Sequence, residues 1–285
     1  MTVEEESSLA GILGVGAVEL VEPAFADLPD DWFTSTLLET EGDQGRLLVD
    51  EESEPLAVAV HTGNDHWVAG CYHLRKANAS VITFFEDLGG DIYQEERSVW
   101  EAAVRRYYSL MIARHITPSL DDLNPARKDM VRSLLTDMWG PGRGTTCLDF
   151  CCGSGLGSVV LRDLGYSVLA CDIDLGLLSL GFSTGRLLPL ETMCIDATRA
   201  RTYISPVPAG LGLMFGEIYA FNSDTWEQIT RELVNLTGYS LITVGKREEA
   251  ELIASWVERC GCRVDVSENT RDPIYDRWVC SFSRD

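Results

Sequence analysis

The stretch CLDFCCGSGLGS, residues 147–158, decides the fold of this 285-residue chain. An apolar segment typical of a strand leads into a loop that contains Gly153, Gly155 and Gly157, and a short helix follows. Glycines let the backbone approach a ligand closely, and the first turn of a helix exposes unpaired N–H groups beside them. The segment therefore predicts a strand, a ligand-binding loop and a helix, in that order.

Two ligands suit such a loop: the pyrophosphate of a dinucleotide and the methionine part of S-adenosylmethionine. Asp149 lies within the strand, four residues before Gly153, where a carboxylate can serve the methionyl ammonium directly or through the loop backbone and water. Dinucleotide folds usually have only apolar residues at that point. Their fingerprint also needs G-x-G-x-x-G or alanine, whereas Ser158 occupies the last position here. Both features favour S-adenosylmethionine.

Two more acids follow at the ends of the next two predicted strands. Asp172 comes 23 residues after Asp149, and a carboxylate at such a strand tip can accept hydrogen bonds from both ribose hydroxyls. That feature alone is shared with NAD enzymes. Asp196 and Ala197 end the third strand, where an acid can bind the adenine amino group. Three acids at the ends of three successive strands are more specific than any one of them.

From residue 144 to the C-terminus, the pattern alternates between strands and helices, which predicts a parallel sheet covered by helices. The last two strands are joined without room for a crossover helix, so the final strand should be antiparallel. We therefore expect an α/β fold: a doubly wound, seven-stranded, mostly parallel sheet with an antiparallel last strand. The predicted strands are TTCLDFC, SVLACDI, ETMCIDA, LGLMFGE, YSLITVG, CRVDVSE and RWVCSFS, and the predicted helices SVVLRDL, LGLLSLGF, DTWEQITRELVNL and REEAELIASWVERCG.

The chain before this domain has a different sequence pattern, with several short segments typical of strands. Between Arg46 and Leu88, the segments RLLVD, PLAVAV, HWVAGCYHL and ASVITFF read as strands rich in valine, leucine and aromatic residues. Thr-Gly-Asn-Asp at 62–65 has the composition of a hairpin turn between the second and third segments. Together these segments predict a small antiparallel sheet.

Two helices are predicted next, in QEERSVWEAAVRRYYSLMIARHI and in NPARKDMVRSLLTDMW, the second capped by Asn124 before Pro125. The chain therefore divides into three parts. These are an N-terminal α+β region at 1–93, a helical connector or lid at 94–143 and the α/β domain at 144–285.

Residues 144–285 resemble the class I S-adenosylmethionine-dependent methyltransferases, a Rossmann-like family with seven strands and a reversed final hairpin. LDFCCGSGLGS is similar to the family's first motif, ACDID to the second and CIDA to the third. Cys151 stands where the family usually has its first glycine, whereas Gly153 and Gly155 remain. The combination of DFCCGSGLGS with LLSLGFSTGRLLPLETMCIDA most resembles archaeal members, including those of methanogens.

The resemblance implies S-adenosylmethionine as the cofactor and methyl transfer as the activity. By that analogy, Asp172 would hold the ribose and Asp196 the adenine. The implied cofactor-binding residues are Asp149, Cys151, Gly153, Ser154, Gly155, Asp172, Ile173, Asp196 and Ala197.

The acceptor side of the site is expected beyond the fourth strand, because ligands of open α/β sheets bind past the carboxyl ends of the strands. Methyl transfer is an in-line displacement, so an enzyme mainly has to align the nucleophile and exclude water. Glu217 and Tyr219 follow that strand and are the predicted catalytic residues. Glu217 could act as a general base or orient the substrate, and a structural or solvent-exposed role is the alternative. The family's Asp/Asn-Pro-Pro-aromatic sequence is absent here, which argues against base and amide nitrogen acceptors. A small molecule or a protein side chain is therefore the expected acceptor.

The net charge of −22 is unevenly distributed: residues 1–55 contain 15 acidic side chains and one basic one, Arg46. Phosphate backbones attract clusters of Lys and Arg, so the composition excludes a general nucleic-acid binder. The acidic segment could bind a basic protein partner or keep the protein soluble. The first residues, MTVEEESS, are acidic where a signal peptide is basic, and no apolar run approaches the roughly 20 residues that span a bilayer. We expect a cytoplasmic protein without a membrane segment.

Neither the histidines nor the cysteines form a recognisable metal motif, so no metal is predicted. His61, His66 and His73 lie within 13 residues, but their spacing fits no standard site. The nine cysteines include no C-x-x-C pair and lie mostly in apolar runs, which favours reduced, buried thiols.

Three functional hypotheses follow from these patterns. The first is a methyltransferase whose N-terminal sheet and helices form the acceptor lid. The second is a nucleotide-dependent oxidoreductase on a Rossmann fold, which Asp149 and the glycine spacing disfavour. The third is a non-catalytic S-adenosylmethionine-binding or scaffold protein, since intact acids argue for cofactor binding and say nothing about turnover.

Overall fold

The computed structural model describes residues 8–284, so the first seven residues of the acidic N-terminal segment and residue 285 lie outside the description. The chain forms two compact units, Met1–Leu110 and Met111–Asp285. Their boundary falls inside a single helix, Arg97–His115, within the predicted connector. None of the helices in the described part of the chain combines the length and apolar character that crossing a bilayer requires.

The first unit is built on a mixed sheet. Its three middle strands are antiparallel, and the turn between β3 and β4 contains Asn64 and Asp65, whose φ angles of 52° and 58° match the central positions of a type I′ turn. The outer strands β1 and β5 pair in parallel with β4 and β2, giving the order β1-β4-β3-β2-β5. The elements are α1 (Leu9–Leu13), β1 (Ala17–Leu20), a 3-10 turn (Phe25–Asp27), α2 (Trp32–Leu38), β2 (Gly45–Val49), β3 (Pro55–Gly63), β4 (His66–Cys71), α3 (Ala79–Leu88), β5 (Gly90–Gln94) and the first part of α4 (Arg97–His115).

Two predictions for this unit are wrong. The sheet is not purely antiparallel, because β1 and β5 join its edges in parallel. The segment ASVITFF is not a strand but the greater part of helix α3. Asn78 caps that helix by accepting a hydrogen bond from the Val81 amide at 3.1 Å, and Val81 and Phe85, one turn apart, are both buried in the core. The cap and the i, i+4 apolar spacing outweigh the β propensity of valine, isoleucine and phenylalanine.

The second unit contains the strand and helix alternation that the sequence predicted after residue 144. The fourth strand lies earlier than predicted, because the chain leaves the sheet at Leu213 and takes left-handed φ values at Met214 and Gly216. The elements are the end of α4, α5 (Pro125–Met138), β6 (Thr146–Phe150), α6 (Leu156–Asp163), β7 (Ser167–Asp172), α7 (Leu175–Ser183), β8 (Thr192–Cys194), a 3-10 helix (Ala197–Thr202), β9 (Val207–Gly212), α8 (Ser223–Leu236), β10 (Thr237–Val244), α9 (Arg247–Arg259), β11 (Arg263–Glu268) and β12 (Trp278–Ser283).

The sheet of this unit has the strand order β11-β12-β10-β9-β6-β7-β8. The pairs from β10 to β8 are parallel, whereas β12 runs antiparallel to both β10 and β11. The α/β class is confirmed, and the sheet has seven strands with a reversed last strand. The chain moves outward from β6 through β7 to β8 and then returns to the other side of β6 with β9. The carboxyl ends of β6 and β9 therefore form the switch point at which open α/β sheets bind ligands.

Candidate functional site

A cleft of about 340 Å³ opens at this switch point. Its floor is formed by the end of β6 and the loop that follows, and its sides by the end of β7 and the segment after β9. The cleft brings together five of the nine predicted cofactor residues: Asp149, Cys151, Gly153, Ser154 and Asp172.

Asp149 is an acid inside a buried central strand, and only 1% of its surface is exposed. Its Oδ2 accepts a hydrogen bond from the Ser158 hydroxyl of α6 at 2.6 Å. Gly157 is needed for this approach, because a Cβ at that position would lie 2.5 Å from Asp149 Oδ1. Burial raises the pKa of Asp149 to about 7, although the bonds from Ser158 act in the opposite direction. A cation entering the cleft would favour the ionised form of this carboxyl.

Asp172 ties the glycine loop to the end of β7. Its Oδ2 accepts a hydrogen bond from the Gly153 amide at 2.8 Å, and its Oδ1 accepts one from the Asp174 amide at 2.9 Å. Burial raises the pKa of this carboxyl, while the backbone donors lower it. Each carboxylate oxygen can accept a further hydrogen bond, so the group can hold the loop and bind hydroxyl groups of a ligand together.

Cys151 and Cys152 contribute adjacent side chains to the cleft. Cys151 has a φ of 56°, in the left-handed region where a residue with a Cβ costs about 1 kcal/mol more than glycine. The cysteine thus occupies a backbone position that suits glycine. Burial raises the pKa of both thiols well above the ordinary value, and the neighbouring carboxylates of Asp149 and Asp172 act in the same direction.

Four predicted cofactor residues do not line the cleft. Gly155 is the N-cap residue of α6 and has a φ of 87°. A Cβ there would lie 2.6 Å from a methyl carbon of Leu187, so packing explains this glycine. Asp196 caps the 3-10 helix by accepting hydrogen bonds from the amide and hydroxyl of Thr198 at 2.9 and 2.7 Å. Ile173 is 65% exposed and Ala197 is buried. Their cofactor roles stay predictions.

The two predicted catalytic residues lie outside the cleft lining, in the exposed segment between β9 and α8. The Tyr219 hydroxyl donates a hydrogen bond to Glu217 Oε2, and this bond raises the pKa of Tyr219. Phe221 stacks on Tyr219 with ring centroids 5.5 Å apart, and Lys246 Nζ lies 5.5 Å from the Tyr219 centroid. The structure thus shows a hydrogen bond between Tyr219 and Glu217. Their catalytic role stays a prediction.

The sequence did not reveal Arg127, which lies in the first turn of α5 and lines the cleft. Its Nε and Nη2 donate to the two carboxylate oxygens of Asp276 at 2.8 and 3.1 Å. Asp276 is 1% exposed and also accepts a hydrogen bond from the Thr243 hydroxyl at 2.5 Å. The Met214 amide in turn donates to the Thr243 hydroxyl at 2.7 Å, and Met214 lines the cleft. The Arg127–Asp276 pair joins residues 149 positions apart, so no local pattern could have indicated it.

The three histidines of the first unit do not share a partner, and the buried Nδ1 of His73 has no hydrogen-bond partner among the described residues. His61 Nδ1 lies 2.6 Å from Asp43 Oδ1, and His66 Nε2 lies 3.9 Å from Glu19. Burial lowers the pKa of His73 to about 3. Between residues 8 and 284, no group of three or more His, Cys, Asp or Glu side chains is placed to hold a metal ion.

No protein-family model and no curated protein matches the chain. Several of the solved structures that resemble it are S-adenosylmethionine-dependent methyltransferases, at low identity. The magnesium protoporphyrin IX methyltransferase of Synechocystis PCC 6803 with bound S-adenosylmethionine is 15% identical, covering 65% of this chain and 97% of that one, with a TM-score of 0.44.

Two further structures are similar to the same degree. A TehB-like S-adenosylmethionine-dependent methyltransferase from Corynebacterium glutamicum is 17% identical over 57% of this chain and 100% of that one, with a TM-score of 0.43. The precorrin-6y C5,15-methyltransferase of Geobacter metallireducens is 11% identical over 59% of this chain and 94% of that one, also with a TM-score of 0.43. At such identities and TM-scores, the likenesses do not define an activity for this chain.

Proposed function

We propose that the chain is an S-adenosylmethionine-dependent methyltransferase that transfers a methyl group to a small molecule or a protein side chain. One observation carries the proposal. At the switch point of the seven-stranded sheet, a buried acid (Asp149), a glycine loop and a second acid (Asp172) converge on one cleft.

The chemistry of these groups fits the cofactor. Asp149 keeps a raised pKa because it is buried, and an ammonium beside it would stabilise the carboxylate. Asp172 retains acceptor sites for the two ribose hydroxyls. Space remains over the loop: among the described residues, only one atom, from Leu177, would lie within 4.0 Å of a Cβ on Gly153. A dinucleotide fits less well, because its pyrophosphate would bring negative charge beside Asp149 and Asp172.

When bound, S-adenosylmethionine supplies an electrophilic methyl group, whose transfer leaves the thioether and, from a neutral acceptor, releases one proton. The residues of the chain have to hold the cofactor, align the nucleophile and exclude water. Glu217, held by the Tyr219 hydroxyl, is the residue we assign to receive that proton or to orient the acceptor.

Calorimetric titration with S-adenosylmethionine, S-adenosylhomocysteine and NAD tests the cofactor assignment. We expect binding of the first two and none of NAD. Asp172→Ala should weaken binding about 10- to 100-fold, as for the loss of hydrogen bonds to a charged acceptor, whereas the exposed β11 residue Asp265 should tolerate Ala without effect. Equal affinity for NAD and S-adenosylmethionine would contradict the proposal.

Transfer of a radiolabelled methyl group in lysate of the source organism tests turnover. Labelled product that depends on the added protein is the expected result. Tight cofactor binding without any labelled product would favour a non-catalytic binding protein instead.

A further inference from the structure

More acidic than basic side chains line the cleft. Three acids face it, Asp122, Asp149 and Asp172, and among the described residues that line it Arg127 is the basic one. The methionine end of the proposed cofactor carries an ammonium and a carboxylate side by side. Acids alone would repel the carboxylate, so a ligand of this kind needs a cation at the same end of the cleft.

The guanidinium of Arg127 is held in a fixed position. Asp276 accepts from Nε and Nη2, and the ring centroid of Tyr275 lies 5.0 Å from the central guanidinium carbon. These contacts leave Nη1 without a hydrogen-bond partner among the residues that the structure describes. A planar guanidinium fixed along one edge and against one face is pre-organised to donate from its free edge, which lowers the entropic cost of binding an anion.

The surroundings of Arg127 favour an anion as well. The residue lies in the first turn of the 14-residue helix α5, whose N-terminal cap is Asn124. The positive end of a helix dipole stabilises negative charge within about one turn of the N-terminus. The acids that engage Arg127, Asp272 and Asp276, have only 4% and 1% of their surfaces exposed. They clamp the guanidinium from the side of the protein interior.

We propose that Arg127 binds the carboxylate of the cofactor's methionine moiety, so that the cleft selects ligands with an intact amino-acid end. The inference rests on the proposed function and adds the residue that recognises one functional group of the cofactor. Asp149 and Arg127 then recognise the ammonium and the carboxylate respectively. Asp276 is a positioning residue that holds the guanidinium and, through Thr243, the Met214 amide.

Ligands that differ at this end provide the test. Calorimetry on the full chain would use S-adenosylmethionine, decarboxylated S-adenosylmethionine, which lacks only the carboxylate, and 5′-methylthioadenosine, which lacks the amino-acid end. We expect the wild-type protein to bind the decarboxylated ligand about 10- to 100-fold more weakly than S-adenosylmethionine. Arg127→Met should abolish this discrimination and leave the affinity for 5′-methylthioadenosine within about twofold. Arg132→Met, in the same helix but paired with Asp163, should behave as wild type.

The possible results separate the two levels of the proposal. A wild-type protein that does not discriminate between the first two ligands overturns the role of Arg127, and equal weakening of all three ligands by Arg127→Met shows a purely structural role. If the wild type binds none of the three, the proposed function itself fails. Should Arg127→Met not fold, Arg127→Lys keeps a charge beside Asp276 and should weaken the preference for S-adenosylmethionine in part. An unchanged preference in that variant would overturn the role of the fixed guanidinium.

Discussion

Two loops border the same cleft but are built differently. The loop after β6 consists of glycines and small side chains that contact two acids: the buried Asp149 and the half-buried Asp172, which accepts a hydrogen bond from the Gly153 amide. The loop after β9 presents exposed side chains that contact one another, such as Tyr219 and Glu217. When a hydrogen bond is lost in the protein interior, water cannot take its place, whereas it can when the bond is at the surface. Changes in the first loop should therefore have large effects on cofactor binding, and changes in the second small ones.

The largest effect should come from Gly157. An added methyl group would lie 2.5 Å from Asp149 Oδ1, so either the carboxylate or α6 has to move. Gly157→Ala should abolish measurable binding of S-adenosylmethionine and lower the free energy of unfolding by about 1–3 kcal/mol, as overpacking does. Calorimetry and urea unfolding measure the two effects, with Val159→Ala in the same helix as the control. Normal binding by Gly157→Ala would show that the close approach is dispensable.

The next largest effect should be a pH dependence of cofactor binding. Because the pKa of Asp149 is about 7 and an ammonium binds the ionised carboxylate, each binding event below that pH has to release a proton. Affinity for S-adenosylmethionine should be highest above pH 7 and should fall, by up to about tenfold per pH unit, as the pH drops below it. Calorimetry between pH 5.5 and 8 measures this. In Asp149→Asn the affinity should no longer depend on pH, and the affinity of the wild type for 5′-methylthioadenosine should not depend on pH either. A wild-type affinity for S-adenosylmethionine that does not change with pH would refute the role of Asp149.

A smaller effect is expected at Cys151. Its φ of 56° suits glycine, so Cys151→Gly removes strain and should raise the free energy of unfolding by up to about 1 kcal/mol. Cofactor affinity should change by less than about threefold, since the backbone shape is kept. The matched variant Cys152→Gly removes a side chain that is 91% buried from ordinary backbone and should destabilise the protein. Thermal melting of both variants measures their stability. If both are destabilised equally, the contacts of the Cys151 side chain stabilise the protein by more than its backbone strain destabilises it.

The smallest effect should be that of Tyr219→Phe. Neither Tyr219 nor Glu217 lines the cleft, and the hydrogen bond between them is exposed to water. Affinity for S-adenosylmethionine should remain within about twofold of the wild type, as for other exposed polar contacts. A tenfold loss in calorimetry would show that the loop after β9 also forms part of the cofactor site, and the contrast between the two loops would disappear.

The strand, glycine loop and helix that line the cleft could be predicted because their sequence signals are local. The strand, Asp149, the glycines and α6 follow one another within 18 residues, from Thr146 to Asp163. The errors have equally local causes: ASVITFF combines β-prone residues with a helix cap at Asn78, and β5 is short and largely exposed. The Arg127–Asp276 pair depends on how distant segments pack, which periodicity does not encode.

The two adjacent thiols of the cleft acquire a chemical meaning if the proposed cofactor binds there. S-adenosylmethionine is an alkylating agent, and the thiolate, not the thiol, is the nucleophile that would attack its methyl group and displace the thioether. Burial and the nearby carboxylates raise the pKa of Cys151 and Cys152 far above neutrality, so the thiolate population is very small. Burial, with a smaller contribution from the acids that would hold the cofactor, would thus also protect the two thiols from methylation.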